Sequence, residues 1–407
     1  SRFYWPTKKK KKKNIVKSEE KLIKITFEKM IINLFKLFLI PENISEDSIK
    51  KYYLLLIESS IVFKELYDLE TKIEPIVLLI EKRGLWFNNR WMHSEIKRIS
   101  QKFQLQPSWK SLVLNLEQAK SKKDSTASKE LNHIKKWILP FIRNPTLRET
   151  CTNLKGNWCL FSSYSGRMTA SQMPLTSIPK PMRKYAISSD SHKELWSVDL
   201  NQAELRFLAY YANDPFLLGH FNTGQDMYTY MGNLINSYNL NASPEWLRNV
   251  CKTFLLAWLY GASTNTLIKQ LRKKGFHVTS VDLKHVLKQL ELQMSEAIRY
   301  LTLCSNQNEV QTFFGRVMPL VEMKKSTKRN FALQSSVATA IKLLMLEANK
   351  LNLEIVHVIH DELWIEVNPS YSNWQELLQQ NFEKTINRYH NGFPLNNILK
   401  FNQLKGE

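Results

Sequence analysis

An α+β fold whose antiparallel sheet draws strands from two distant parts of the chain is predicted by three observations. In Glu354–Val367, EIVHVIHDELWIEV, the apolar residues Val356 and Val358, then Leu363, Ile365 and Val367, alternate as in two half-buried strands. His360, Asp361 and Glu362 lie between the two runs, so the segment reads as a β-hairpin with two carboxylates at its tip. In Leu195–Leu200, LWSVDL, a short apolar run carries Asp199 near its end and precedes a helix-like stretch, NQAELRFLAYYAND. Much of the remainder has helical periodicity, clearest in ELYDLETKIEPIVLLIEKRGL. A hairpin tip carries acids for solubility alone as readily as for chemistry. A second acid at a strand end changes the balance, because two carboxylates on neighbouring strands can share divalent metal ions.

The 407 residues suffice to bury a sizeable core and to form more than one lobe. Lys and Arg outnumber Asp and Glu by 58 to 37, a formal charge of +21 that points to a polyanionic partner, on a Lys-, Asn- and Ile-rich background. Cys151, Cys159, Cys251 and Cys304 are too few and too irregularly spaced for a disulfide framework or a paired-cysteine zinc site. A reducing compartment is therefore expected, cytoplasmic in a bacterial or phage setting or else organellar. No run of eighteen apolar residues stands out, and Leu22–Ile40 is broken by Lys24, Glu28, Lys29 and Lys36, so no membrane partner is expected. The chain begins at Ser1 rather than Met, as a fragment or a processed product does.

In chain order, Lys8–Lys13 reads as a solvated tail or an electrostatic arm. From Glu19 to Leu85 the pattern is helical, and Gly84 is placed to close the helix. Residues 88–118 continue as helix with a break at Pro107. LEQAKSKKDSTASKELNHIKKW then turns polar and basic about a small-residue tip at Ser125–Ser128. Two helices joined at such a tip suit a grip on duplex phosphates, which needs charge and reach rather than sequence reading. Trp158–Pro179 is apolar at first and then loop-like; Arg167 is its only charge, either a turn arginine in solvent or a donor to base and sugar acceptors. Asp226, just after Gly224, marks a helix start.

In Trp246–Gly261, WLRNVCKTFLLAWLYG, Arg248, Lys252, Leu256 and Tyr260 recur every four residues and share one helical face. Two cations, an apolar residue and an aromatic suit a nucleotide: cations on the phosphates, an apolar surface under the base, a phenol near the sugar. A basic surface helix with snorkelling side chains fits the same pattern.

These stretches carry a resemblance to family A DNA polymerases, the DNA polymerase I family, in order and from about residue 65 to the end. DLNQAELR, Asp199–Arg206, is similar to the family's DYSQIELR and is followed by a GxD segment, GQDMY. RNVCKTFLLAWLYG, Arg248–Gly261, resembles its RxxxKxxxFxxxYG helix, and His360-Asp361-Glu362 its HDE. TFFGRVMPL resembles TxxGRxxxLP, NFALQSSVATAIKLLM resembles NxxxQGxxADIIK, IEKRGLWFN resembles ERxGxxxD, and SGRMTAS resembles TGRLSS. Seven short pieces in one order make chance similarity a poor account. The chain departs from the pattern at Leu256, where the family has Phe or Tyr, at Tyr228 in place of His, at Pro174–Ser177 in place of NLQN, and at Ser335 in place of Gly. Weaker stacking on the incoming base, one phosphate contact fewer and altered minor-groove contacts are the expected consequences. The carboxylates are untouched.

The resemblance implies a right-hand polymerase fold: a basic tail and remnant of an upstream domain over residues 1–60, a helical thumb over 61–154, an antiparallel palm over 155–205 and 331–407, and helical fingers over 206–330. It implies template-directed addition of dNTPs to a primer 3′-hydroxyl on a DNA primer-template, by two-metal phosphoryl transfer. Two Mg2+ ions would bridge Asp199 and Asp361, with the carbonyl of Leu200 as a further ligand and Glu362 in an auxiliary role near the primer end. Lys252 would bind the triphosphate and donate a proton to the leaving group, with Arg248 on the terminal phosphate and Gln202 and Tyr228 beside the nucleotide. Glu204 and Tyr260 would select the sugar by leaving no room for a 2′-hydroxyl; single-subunit RNA polymerases of the phage type have Gly at the Glu204 position. Arg167, Asn330, Gln334 and His360 would contact the primer-template. The first sixty residues hold no Asp-x-Glu strand, so no proofreading exonuclease is expected from this chain alone, and an upstream exonuclease or a processivity factor is left open as a partner. A catalytically inert, polymerase-derived DNA-binding protein is the rival reading.

Overall fold

The computed structural model describes residues 61–121, 124–139, 150–160, 165–236, 243–276, 278–315, 317–319 and 323–406, all within the second of two compact units, Ile57–Glu407. The lysine run and the helical pattern expected before residue 61 lie outside the described residues.

Helix α1 (Ile61–Arg83) buries Leu69, Ile73, Ile76, Val77 and Ile80, the three- and four-residue spacing that turns one face inward. It stops at Gly84, as its sequence predicts. Gly84 has φ +68, and a Cβ there would lie 2.0 Å from the Asn153 side chain, so glycine is required for the turn into β1 (Leu85–Asn88). This strand interrupts what reads as continuous helix, because Leu85 and Phe87 are buried and flanking strands supply its backbone partners. Helices α2 (Arg90–Phe103) and α3 (Trp109–Ser121) part around Pro107, as predicted. The Ser125–Ser128 tip is corrected. Asp124 Oδ1 accepts the N–H groups of Thr126 and Ala127 at 2.7 and 3.1 Å, so these small residues form the capped first turn of α4 (Ser125–His133) and the connection is shorter. Leu112, Leu116, Ala127, Leu131 and Trp91 pack these helices together.

Short strands follow: β2 (Cys151–Leu154), β3 (Asn157–Cys159) and β4 (Thr169–Ser171), then α5 (Lys180–Arg183) and β5 (Ala186–Ile187). They form an antiparallel sheet in the order β2-β1-β5 and a separate β3-β4 ladder. Strand β6 (Glu194–Leu200) leads into α6 (Ala203–Ala212), α7 (Pro215–Asn222), α8 (Met227–Asn236), α9 (Pro244–Leu259), α10 (Thr264–Lys273), α11 (Ser280–Gln293) and α12 (Ser295–Asn306). Fully buried Asp214 joins two of these helices: one oxygen takes the Leu217 N–H at 3.0 Å, capping α7, and the other takes the Ala297 N–H of α12 at 2.9 Å. The hairpin β7 (Glu309–Gln311) and β8 (Val317–Pro319) precedes α13 (Lys325–Lys350). Helix α13 is long and apolar enough to cross a membrane, yet 89% of its most apolar window is buried in the protein, which makes it a core helix.

The chain closes with β9 (Glu354–Ile359), β10 (Glu362–Val367), α14 (Trp374–Tyr389) and β11 (Leu399–Leu404). Its central sheet runs β11-β6-β10-β9, antiparallel throughout, so β6 is indeed the neighbour of the hairpin. The expectation of half-buried hairpin strands is corrected: every residue of β9 and β10 after the first is buried. A core lies on each face, with Val358, Leu363 and Ile365 joining α13 and α14 on one side and Val356, Ile359 and Trp364 joining the α2–α4 layer on the other. The buried polar residues His357 and Glu366 of these strands therefore take their partners from within the protein, His357 through Nε2 only. His357 Nε2 bonds the Leu175 carbonyl at 3.1 Å, and Glu366 accepts the Ser189 N–H at 2.6 Å and hydroxyl at 2.5 Å. Burial pushes the His357 imidazole down to about 3, so it is neutral.

Helix α13 is tied to α1 by one buried ion pair, Lys342 Nζ to both oxygens of Glu70 at 2.7 and 2.9 Å. Removing one member strands the other charge in the core, which costs about 3–5 kcal/mol. Glu70→Ala is expected to lower the stability of residues 61–407 by about that amount in urea denaturation, and Lys342→Met/Glu70→Leu together to recover most of it.

Candidate active site

The site is built where β6, the β9–β10 hairpin and β11 end together. Asp199 lies directly opposite Glu362 of β10 and Lys400 of β11. Residues opposite each other in an antiparallel pair share a face, so these three side chains meet on one side of the sheet. The hairpin turns through two residues, His360 and Asp361, with His360 at φ +53. The Asp361 carbonyl accepts the Leu200 N–H at 3.0 Å, which fixes Asp361 beside Asp199. Burial and then the Asp361 carboxylate raise Asp199 to about 7, with Glu362 adding to the rise and Lys252 and Lys400 opposing it. Two hard carboxylates held together against their mutual repulsion are a donor set that fits a divalent cation. Among the described residues no group of three or more His, Cys, Asp or Glu gathers for a metal, so the pair stands without a third side-chain ligand.

Glu362 is committed elsewhere. Arg183 of α5 reaches its Oε2 at 2.9 Å, while Ser197 Oγ and Trp364 Nε1 donate to its Oε1 at 2.6 and 2.7 Å. Its charge is thereby drawn along the sheet, away from the Asp199–Asp361 pair.

The cationic stripe lies where its spacing predicts, on α9, with Ser243 as N-cap and Tyr260 as C-cap. Lys252 is exposed, and Arg248 and Leu256 are half-buried. Arg248 Nη2 meets Asp226 Oδ2 at 2.6 Å, and its guanidinium lies 5.6 Å from the centre of the Tyr228 ring. Burial would raise Asp226, but Arg248 and the Thr229 N–H hold it below the usual carboxylate range. Tyr228 is 2% exposed, and burial followed by the Glu204 and Asp361 carboxylates pushes its phenol up, so it stays neutral. Asn201, Asp226, Glu245, Arg248, Asn249 and Lys400 line a cleft of about 440 Å³ at this point.

Glu204, in the first turn of α6, takes the Tyr260 hydroxyl on Oε2 and Arg167 Nη2 on Oε1, the latter at 3.1 Å. The solvent-turn alternative for Arg167 is thereby corrected; a half-buried carboxylate pulls it inward. Burial and then Arg167 lower His360 below its ordinary value, so the imidazole is neutral. Gln202 is turned inward, its amide oxygen accepting the Met227 N–H at 2.9 Å, and thus holds the start of α8. Asn330 and Gln334 stand one turn apart on α13, both half-buried.

Four contributors escape sequence reasoning. Lys400 and Arg183 are found only once β11 and α5 are seen against β6 and β10. Arg206 is nearly fully buried in α6 and bonds the carbonyls of Asn201, Pro394 and Asn396 at 2.8, 2.6 and 2.8 Å, tethering the loop before β11 to the end of β6. A charge on the apolar AELRFLAYY face is the signal that points to it. Arg329 bonds Ser305 Oγ at 2.7 Å beside the end of α9.

Paired carboxylates at the ends of the two central strands, with Lys252 acting on Asp199 and a cleft lined by Arg248 and Lys400 close by, form a site suited to a polyphosphate and its accompanying metal. The chain belongs to DNA polymerase family A, whose sequence profile matches residues 96–399. It is 23% identical to DNA polymerase I of Mycobacterium bovis (strain ATCC BAA-935 / AF2122/97) over 231 residues, 50% of this chain and 25% of the relative. With DNA polymerase I of Rhizobium leguminosarum it shares 25% over 235 residues, 52% and 23% of the two chains. With the thermostable DNA polymerase I of Thermus aquaticus it shares 24% over 224 residues, 50% and 27%. The matched region thus spans about a quarter of these curated relatives. The fold is similar to that of the POL domain of Pol1 from M. smegmatis, solved in complex with DNA primer-template and dNTP, at TM-score 0.58 and 17% identity, covering 88% of this chain and 72% of that one.

A carboxylate whose folded value is raised binds protons that the unfolded chain has already released, so it destabilises the fold as pH climbs from about 4 to 7 and fully above that. Asp199→Asn removes the penalty. Discounted for partial solvent access to the carboxylate, it is expected to stabilise the metal-free protein by about 1–3 kcal/mol at pH 8 and by nothing below pH ~4. Thermal melts in EDTA across that range check it; a gain independent of pH would show that Asp199 is not under this strain.

Proposed function

We propose that this chain is a template-directed DNA polymerase that adds dNTPs to a primer 3′-hydroxyl. The observation that carries the reading is the juxtaposition of Asp199 and Asp361 at one end of the central strands, with the Arg248, Lys252 and Lys400 cations nearby, in a chain of this family. In this reading residues 155–205 and 331–407 form the palm, 206–330 the fingers and 61–154 the thumb. Asp199 and Asp361, with the Leu200 carbonyl, would hold two Mg2+ ions. Such ions supply activation of the primer hydroxyl and neutralisation of the triphosphate and leaving pyrophosphate.

The protein's own groups do the rest. Arg248 and Lys252 face the triphosphate, and Lys252 gives its proton to the leaving oxygen. Tyr260 and Glu204 are joined by a hydrogen bond that forms a closed floor beneath the sugar, against which a 2′-hydroxyl would press. Leu256 offers an apolar but non-aromatic surface to the base, so stacking is weaker than an aromatic side chain gives. Arg167, His360, Asn330 and Gln334 contact the primer-template. The carboxylates of this site are assigned to synthesis, and no second set among the described residues is assigned to proofreading.

Extension of a labelled primer on a DNA template with Mg2+ is expected with dNTPs and not with rNTPs. Asp361→Asn should reduce it by at least about 10³-fold, since one bridging carboxylate carries several kcal/mol of transition-state stabilisation. DNA binding without extension in parent and variant alike would leave a DNA-binding protein instead. Leu256→Phe is expected to lower the dNTP KM several-fold with kcat little changed, because it adds ground-state stacking; steady-state kinetics on the same primer give the answer.

A further inference from the structure

We propose that Arg329 is a positioning residue that fixes the C-terminal end of α9, and through it the Tyr260 hydroxyl, for selection of the deoxyribose. The inference rests on the sugar-selecting reading of Glu204 and Tyr260 given above. Helix α9 ends in a tight reversal in which the Gly261 N–H returns to Trp258 O at 2.8 Å and the Ala262 N–H to Ala257 O at 2.9 Å. The Leu259 carbonyl belongs to the last turn, whose carbonyls lack partners within the helix and carry its negative end. Arg329, from the first third of α13, puts Nη1 3.5 Å from that carbonyl while its Nε donates to Ser305 Oγ at 2.7 Å. One guanidinium therefore links the ends of α9 and α12 to α13.

Gly261 makes the approach possible. It sits at φ +92, and a Cβ there would lie 3.2 Å from Arg329 Nη1, so a side chain would strain the turn and crowd the cation. Tyr260, immediately before it, is consequently held at two points: its phenol by Glu204 of α6, its backbone by a turn braced on Arg329. A helix end with no brace would let the phenol drift from Glu204, and the gap would open where a 2′-hydroxyl goes. Arg329 touches neither nucleotide nor metal in this scheme; it acts through Tyr260.

The test is single-turnover primer extension with a dNTP and its matching rNTP, using the parent, Arg329→Ala, Arg329→Lys, Ser305→Ala, Tyr260→Phe and the Arg329→Ala/Tyr260→Phe double variant, with melts to verify folding. Arg329→Ala is expected to lower the dNTP-over-rNTP ratio by about tenfold and Ser305→Ala by a smaller factor, while Arg329→Lys, which keeps the charge, recovers part of the loss. The double variant should discriminate no worse than Tyr260→Phe alone, since both losses pass through one hydroxyl. A folded Arg329→Ala with the parent's ratio overturns the proposal, as does a loss that simply adds to that of Tyr260→Phe. If Arg329→Ala does not fold, an unchanged ratio in Ser305→Ala overturns it. A parent that fails to extend, or that accepts both sugars equally, overturns the reading of the site itself, whereas a discriminating parent with indifferent variants overturns only the role of Arg329.

Discussion

Pairing Asp199 with Glu362 across β6 and β10 brings carboxylates together at one end of a sheet, and much of the surrounding structure serves to hold that arrangement. Like charges at this separation repel, and burial strengthens the repulsion. Arg183, Ser197 and Trp364 draw Glu362 off in one direction. Lys252 and Lys400 offset Asp199 from another. Register keeps the pair in place: with a core on each face of the sheet, a slip of one residue would carry Asp199 and every apolar side chain of β6 to the wrong side. The two cores thus supply the hydrophobic stabilisation, and the site draws on it. Residual repulsion at Asp199 is what a cation would relieve.

The supporting elements are rigid ones. Helix α13 lies within the core, is fastened to α1 by Lys342 and Glu70, and carries Arg329 and Asn330 near its start with Gln334 one turn on. Arg206 gathers four carbonyls, those of Asn201, Pro394, Asn396 and Asn397, and stands 4.7 Å from the Phe221 ring centre, so the loop before β11 is tethered to the end of β6. Burial lowers this guanidinium to about 10, which still leaves it charged at neutral pH. Helix α9 buries Leu247, Val250, Phe254, Leu255 and Leu259 in the same core, and its outer face is tied by polar links, Arg248 to Asp226 before α8 and Tyr260 to Glu204 of α6. Polar links of this kind exchange partners at less cost than packed apolar faces, so the stripe of α9 is freer to change partners than its core side.

How much of this was legible in the sequence follows from where each signal sits. The hairpin, β6 and the α9 stripe announce themselves by local period, and Asp199, Asp361, Arg248, Lys252 and Tyr260 come with them. The end of α1 was legible because only glycine adopts that turn. Burial of β9 and β10 on both faces was not, since His357 and Glu366 look like solvent-facing positions until Leu175 and Ser189 arrive from elsewhere in the chain. Ser125–Ser128 has the composition of a loop, and Asp124 turns it into a helix start. Arg167, Arg183, Lys400 and Arg329 have partners far away in sequence, so no window contains the reason for them.

The departures from the family pattern take on a physical meaning in this setting. At the Tyr228 position a histidine can carry charge, whereas a buried phenol pushed upward by its surroundings cannot. What Tyr228 supplies instead is a ring whose centre lies 5.6 Å from the Arg248 guanidinium, which is also paired with Asp226. Arg248 is thus oriented by one carboxylate and one aromatic face, and its freedom to swing is reduced. In the proposed function the positive charge offered to a nucleotide's phosphates would come from Arg248 and Lys400, which line the cleft, and from Lys252, with Lys400 arriving from a strand that sequence patterning leaves unremarked. In the proposed site a phenol at residue 228 therefore adds no charge of its own and acts through Arg248, whose position it and Asp226 fix.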